Sequence, residues 1–559
     1  MQYLCSARRK RFDTGNALAV SLLVAIGAVL RAPLLHGGFW RDEASTYYEV
    51  TAHTVRAVVG MVARGELNPP GFFVVEHGWA MLSGSGEIAM KLPSFACSLA
   101  LIPVTYALAG SLLSQRGAML AAVCATVSPT SILFAAQARP YAMAALLVGL
   151  AMAAYAAALT RVGWRRPLVA STVLFAGALY THYTAALVIG LLSCGTAVIL
   201  ARGGQRSGIV SIAFALAGIA ALFVPWIPAF VRDARIGLPW SPRTTAGTFL
   251  AATSDNVTSL MPLASHHSQL GIVLAAALVG FGGAALFGRR RSQSRRHDVI
   301  VVFGCCVIAG AAIEALSSMR EPRFMFVFAA CAWTWFAALI DGAIAAVARW
   351  KGPARMAAAA LTAGLILGLI PKERDARLIV PLAESGVPAL APTLEDLGRR
   401  HRTLYVVAPD YIGPTFGYYV GESTGVRAVG FARWRDPQLF RPAGYLALWT
   451  APGLVHSAER RIAFAMQSYD RLCLLRDRDE RDSGLVPFSR TTELIMWLRV
   501  HYREVRSTSA FGREESVTMD EFASKRCTVP PTSAHCPCQA LNGRGLRYGG
   551  PASRVMSVC

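Results

Sequence analysis

The sequence predicts a polytopic α-helical membrane protein of about eleven transmembrane helices, followed by a small α/β soluble domain. Three observations predict it. The 559 residues are 54% hydrophobic and only 16% charged, where soluble domains carry about 25% charged residues. The apolar residues group in blocks of about 17 to 25, the length that crosses a bilayer. Loops rich in arginine alternate along the chain with loops that carry acids and aromatic residues.

Taken in order, the predicted spans lie near 16–35, 92–113, 117–136, 140–160, 167–182, 183–200, 209–231, 270–288, 298–317, 324–348 and 355–371. The N-terminus reads RRKRF, and alternate loops read SQRG, TRVGWRRP, ARGGQRSG, GRRRSQSRRHD and ARWKGPAR. All are basic, and only GRRRSQSRRHD contains an acid. The intervening loops read RDEASTYYE, AAQARPY, YTHY, RDARIGLPWSPRTT and SSMREPRF. By the positive-inside rule the N-terminus is cytoplasmic, and an odd number of spans puts the C-terminus outside. The alternation also divides 167–200 into two helices, because a single helix would invert everything downstream. The first block is long and lacks a small-residue cleavage site, which favours a retained helix over a signal peptide. The net charge of +22 follows from these loops. Neither an RNA-binding signature nor a zinc-finger spacing accompanies it, so nucleic acid is not an expected partner.

After about Ile370 the composition changes. Residues 1–372 read as the membrane domain, 373–526 as an extracytoplasmic α/β domain, and 527–559 as a disordered, cysteine-containing tail. LEDLGRRHRTLYVVAPDYIG reads as helix, strand and turn, and YLALWTAPG and RLCLLRD as two further strands. AERRIAFAMQSY and TELIMWLRVHYREV read as amphipathic helices. Cys97, Cys124, Cys194, Cys305, Cys306 and Cys331 fall in apolar blocks as small core residues. Cys527, Cys536, Cys538 and Cys559 lie in the tail, in no common zinc spacing.

Candidate chemistry collects in the predicted outer loops. Asp42 and Glu43 sit just beyond the first span. At a helix start both carboxylates are favoured by the dipole, and adjacent residues point about 100° apart, so only one can face a given site. An acid pair is also an ordinary helix start. GELNPPGFFVVEHGWAML opens on Asn68-Pro69-Pro70, which cannot continue a helix. The apolar segment after it is too short to span and suits a helix at the interface. Glu76 and His77 interrupt it, although a lone histidine there is more often structural. QARPYA supplies Arg139 and Tyr141, YTHYTA supplies Tyr180, His182 and Tyr183, and SSMREPRF supplies Arg320 and Arg323. Interfacial arginines often only snorkel. Arginine is also the preferred ligand for phosphate, and all of these lie on the side of Asp42.

In this order WRDEAST, NPPGFF with a following H.W, GEIAMKLPS, QARPYAM, THY and EPRF make the chain resemble the GT-C membrane glycosyltransferases. Within these it is similar to the family of protein O-mannosyltransferases and the aminoarabinose transferases of lipid A. The resemblance covers roughly residues 15–350. It implies a polyprenyl-phosphate monosaccharide donor and transfer outside the cytoplasm, with inversion, to a lipid, polysaccharide or protein acceptor. It implies that Asp42 or Glu43 acts as base or orients the acceptor; together with the outer-loop reading above, the candidate substrate-binding residues are Asn68, His77, Arg139, Tyr141, His182, Arg320 and Arg323. Some members have lysine where this chain has Asn68. The C-terminal domain matches no known acceptor-binding module.

The reaction explains the residue types independently. Cleaving an ordinary glycosidic bond takes two carboxylates, because an alkoxide leaving group must be protonated. A sugar phosphate releases a phosphate that is already stable. One carboxylate to accept the acceptor's proton is then enough, with positive charge around the departing phosphate. A divalent metal is a possible further assistant, with Glu76, His77, His182 and the acid pair as its candidate ligands. The alternative is a transporter or flippase of lipid-linked sugars. That class predicts mid-span ionisable residues or a symmetric pair of broken helices. Glu314 lies near a span end, and Pro129 and Pro225 form no such pair. A structural or receptor-like protein accounts for the outer domain but not for six ordered motifs.

Overall fold

A computed structural model describes residues 14–160, 164–237, 244–260, 295–317, 319, 321–347, 352, 382–438, 440, 445–478 and 487–525. The first five helices carry or support the site: α1 (Thr14–Arg31), α2 (Arg41–Val50), α3 (Val55–Gly65), α4 (Gly71–Ser83) and α5 (Glu87–Leu112). Among the described residues seven helices are long and apolar enough to cross a membrane. The pair Gln115–Val127 and Pro129–Ala135, bent by 52°, makes an eighth candidate. Its bend has a local cause. Pro129 keeps Ser128 out of the helical region, and the Ser128 hydroxyl caps the second segment at the Ser131 N–H. The 167–200 block is two helices, Arg165–Leu179 and Ala185–Arg202, parted at residues 180–184. The predicted spans near 270–288 and 355–371 lie outside the described residues, as do Arg320 and the tail cysteines. Of the cysteines expected in the core, Cys194 and Cys305 are instead exposed on their helices.

A buried cation fixes the outgoing end of α1. Arg31 donates to Ser98 Oγ, Ser131 Oγ and the carbonyls of Gly27, Ala125 and Thr126, all at 2.9–3.0 Å. These five bonds use the whole donor set of a guanidinium. They tie α1 to α5 and to the bent pair, and so fix where the chain leaves for α2. On the other flank, Gly71 opens α4 with its N–H 2.7 Å from the Tyr180 carbonyl. A Cβ there would lie 2.7 Å from the same oxygen, so only glycine lets the two loops approach.

Residues 382–525 carry a five-stranded sheet in the order β2-β1-β3-β5-β4. The strands are β1 (Thr403–Ala408), β2 (Ala428–Gly430), β3 (Arg471–Asp477), β4 (Tyr502–Ala510) and β5 (Val517–Ser524). β1 pairs parallel with both β2 and β3, and β5 runs antiparallel to β3 and β4. Alternate residues of the central strands enter opposite cores. Val406, Leu472 and Leu474 pack with Leu454–Ala465 and Pro487–His501, while Val407, Cys473 and Leu475 pack with Val387–Arg400. One expectation is corrected. Tyr445–Trp449, read as a strand from YLALWTAPG, is a short helix. Tyr445 and Trp449 are buried while Ala447 and Leu448 are exposed, a spacing of four that suits a helical turn and not a pleat. TELIMWLRVHYREV, read as one helix, turns into β4 after His501.

Candidate active site

The loop after α1 makes a sharp turn at Gly38, with φ of +74°, and enters α2 with Trp40 as N-cap. The first turn then separates the acid pair. Glu43 is fully buried. Its Oε1 accepts the Ala138 N–H at 2.7 Å, its Oε2 accepts the Trp40 N–H at 3.4 Å, and Lys91 Nζ lies 3.9 Å away. Burial pushes its carboxyl up to about 7 against the lowering pull of Lys91 and the two N–H groups. Asp42 is 29% exposed, and its Oδ2 lies 3.3 Å from an Arg323 guanidinium nitrogen.

Two arginines from distant parts of the chain frame Asp42, and the neighbouring Arg41 has its Nε 4.0 Å from Asp42 Oδ1. Arg139 donates to the Asp42 carbonyl at 3.2 Å and to Thr46 Oγ1 at 3.0 Å, and both its terminal nitrogens meet the Glu66 carboxylate at 3.3–3.4 Å. Arg323 also reaches Tyr141 Oη at 3.4 Å and pairs with Glu321. In both, the Nε–H is buried without a partner among the described residues. Each of the two arginines that contact Asp42 thus keeps one guanidinium donor without a partner among the described residues.

The remaining predicted residues fall into two groups. Tyr141 and His182 belong to the Arg323 wall. The His182 ring lies edge-on to Tyr141 at 5.7 Å and near Phe324, with Nδ1 2.7 Å from Thr184 Oγ1. Burial, helped by the charges of Arg323 and Arg139, lowers its pKa to about 3, so the imidazole is neutral at pH 7. Asn68 reaches the site through Glu66, whose Oε1 accepts its amide at 2.7 Å. His77 is buried in α4, with Nδ1 2.7 Å from the Val50 carbonyl, where it joins α4 to the end of α2. Glu76 is fully buried with neither oxygen partnered among the described residues. Burial, reinforced by the charge of Glu43, pushes its pKa up to about 9. Among the described residues no three His, Cys, Asp or Glu side chains group as metal ligands, so Glu76, His77, His182 and the acid pair do not form one site.

Sequence reasoning missed Glu66, Thr46 and Lys91. Glu66 in GELNPP and Lys91 in GEIAMKLPS are charged residues with no local pattern to mark them. Thr46 is one helical turn beyond Asp42, a position that directs its hydroxyl to the same face.

A family profile described as dolichyl-phosphate-mannose-protein mannosyltransferase matches residues 68–228, the segment with Asn68, His77, Arg139, Tyr141 and His182. Among curated proteins, none matches the chain in sequence. The structure is similar to that of ArnT from Cupriavidus metallidurans in the apo state. The TM-score is 0.58 at 14% identity, over 90% of this chain and 98% of that one. The same enzyme bound to undecaprenyl phosphate matches with a TM-score of 0.54 at 13% identity, over 91% and 98% of the two chains. The oligosaccharyltransferase AglB from Archaeoglobus fulgidus, in complex with an inhibitory peptide and a dolichol-phosphate, matches with a TM-score of 0.51 at 11% identity, over 93% and 75%. These likenesses of shape agree with the resemblance read from the six ordered motifs, and the chain is a multi-pass membrane protein with the GT-C fold of membrane glycosyltransferases.

Proposed function

We propose that this protein is an integral membrane glycosyltransferase that moves a monosaccharide, hexose or pentose, from a polyprenyl-phosphate carrier to an acceptor hydroxyl or amine, with inversion. The acceptor is a lipid, a polysaccharide or a protein. The reaction takes place at the extracytoplasmic face of a cell membrane. The N-terminus is cytoplasmic and the C-terminal domain outside, on the loop charges given above. The observation that carries the reading is Asp42 held beside Arg323 and Arg139, each with an unused Nε–H.

In the reaction the acceptor atom attacks the anomeric carbon as the bond from that carbon to the phosphate oxygen breaks. The acceptor's proton goes to Asp42, and the bond's electron pair leaves with the phosphate. Arg323 and Arg139 neutralise that departing charge where water is scarce, and there a charge-assisted bond is worth most. His182, neutral and packed on Tyr141, contributes no charge of its own, so the stabilisation rests on the two arginines. Glu43 holds the α2 start against the Arg139 loop and takes no proton from the acceptor.

Purified protein in nanodiscs, given radiolabelled polyprenyl-phosphate sugars and an envelope extract, should transfer label to an extractable acceptor. Movement of intact lipid-linked sugar across a vesicle without transfer would favour the flippase alternative. Mass spectrometry of envelope glycolipids and glycoproteins from a deletion strain would then identify the product.

A further inference from the structure

The C-terminal sheet has a topological switch point. β1 has a parallel neighbour on each side, β2 and β3, so the chain crosses in opposite directions from it. In open α/β sheets the crevice beyond the carboxyl ends of such strands is where ligands bind. Here β1 ends at Ala408 and β3 at Asp477. The group found there is a side chain of the membrane domain, Arg41, the residue before Asp42. Its guanidinium lies 4.5 Å above the Tyr411 ring and 3.9 Å from Asp477 Oδ2. Tyr411 Oη donates to that same oxygen at 2.7 Å, which fixes the carboxylate.

The domain also holds the chain on both sides of Arg41. The Glu384 N–H donates to the Gly37 carbonyl at 2.7 Å, and the Phe39 N–H donates to Tyr419 Oη at 2.6 Å. The Tyr418 ring packs at 5.0 Å from Phe39 and 4.8 Å from Tyr47. A Cβ on Gly38 would meet Tyr419 Oη at 2.7 Å. Contacts therefore run from before Asp42 to a full turn beyond it, on a helix of only ten residues.

We infer that the C-terminal domain is a positioning element for the reactive helix, and that its switch-point crevice receives Arg41 where such folds receive a small ligand. Arg41 is then a positioning residue. Neighbouring side chains on a helix are about 100° apart, so gripping Arg41 sets the rotation of α2 and aims Asp42 at Arg323. A displacement of about 1 Å at a reacting group costs on the order of 10² in rate. This inference rests on the transfer reaction proposed above with Asp42 as its base.

The test uses the full chain in nanodiscs and the variants Arg41→Lys, Asp477→Asn and Arg41→Lys/Asp477→Glu. Each single variant should lower kcat roughly tenfold to a hundredfold and leave donor and acceptor KM within about twofold. The double variant, which returns by a longer acid the reach lost with lysine, should recover part of kcat. Amide hydrogen exchange over residues 39–50 should quicken in Asp477→Asn while the melting temperature holds. Unchanged kcat in both single variants would overturn the inference. So would a raised acceptor KM at unchanged kcat, which would make the crevice an acceptor subsite. If the wild-type protein transfers no sugar, the proposed reaction fails by itself. Exchange over 39–50 then still decides the structural claim, and an Asp477→Asn protein that exchanges like wild type refutes it.

Discussion

Asp42 Oδ2 and the Arg323 guanidinium, 281 residues apart in the chain, lie 3.3 Å from each other. The pair joins the first loop to the last described span, and it distinguishes Asp42 from its neighbour Glu43. Both acids share one helical turn, but the turn exposes one to the site and buries the other among backbone N–H groups and Lys91.

Asp42→Asn should therefore lower turnover by roughly 10² or more, the usual worth of a positioned base. Expression and membrane insertion should be unaffected. Glu43→Gln retains an oxygen for the Ala138 N–H and should cost less than tenfold. Steady-state transfer kinetics on the two variants check this. Neither variant falling tenfold would remove the acid pair from the chemistry.

Arg323→Lys keeps the charge and loses the planar fork. Loss of a charge-assisted hydrogen bond costs about 1.5–3 kcal/mol, or roughly tenfold to a hundredfold. Donor KM should rise by about that factor with acceptor KM unchanged. Arg139→Lys should lose activity and stability together, because Arg139 also holds Thr46 and Glu66. Wild-type donor use in both variants, and in Arg320→Lys, would leave these arginines as topology markers.

Glu76 gives a stability prediction with a definite sign. Its folded carboxyl titrates near 9 and its ordinary value is 4.5. Between those values the unfolded chain has lost the proton that the folded protein keeps, so stability falls as pH rises across this window. Glu76→Gln removes that slope. Thermal unfolding of the variant from pH 5 to 9 should decline less than that of the wild type, with a higher melting temperature at pH 8. Parallel curves for the two proteins would show that Glu76 is ionised in the fold.

The topology is tested with fused reporters. An enzyme active only outside the cytoplasm should work when joined after Ile370, and one active only inside should work within GRRRSQSRRHD. The reverse pattern would put Asp42 on the wrong face for the proposed reaction.

The membrane character, the helix division at 180–184 and the motifs whose residues meet around Asp42 were legible in the sequence, because span length, loop composition and proline are local properties. So were β1 and β3, whose apolar runs are short and bounded by turn residues. The helix at Tyr445–Trp449 was not legible, since five apolar residues suit either period and burial by neighbours decided it. The choice between Asp42 and Glu43 was beyond any local pattern. It depends on Ala138 and Lys91 meeting one carboxylate and Arg323 the other, and on Tyr411 and Asp477 of a distant domain holding Arg41 between them. Sequence determined which residue types fall in the loops between the apolar blocks. Only tertiary packing decided which of them face one another, because side-chain direction in a helix is set by what the whole chain places around it.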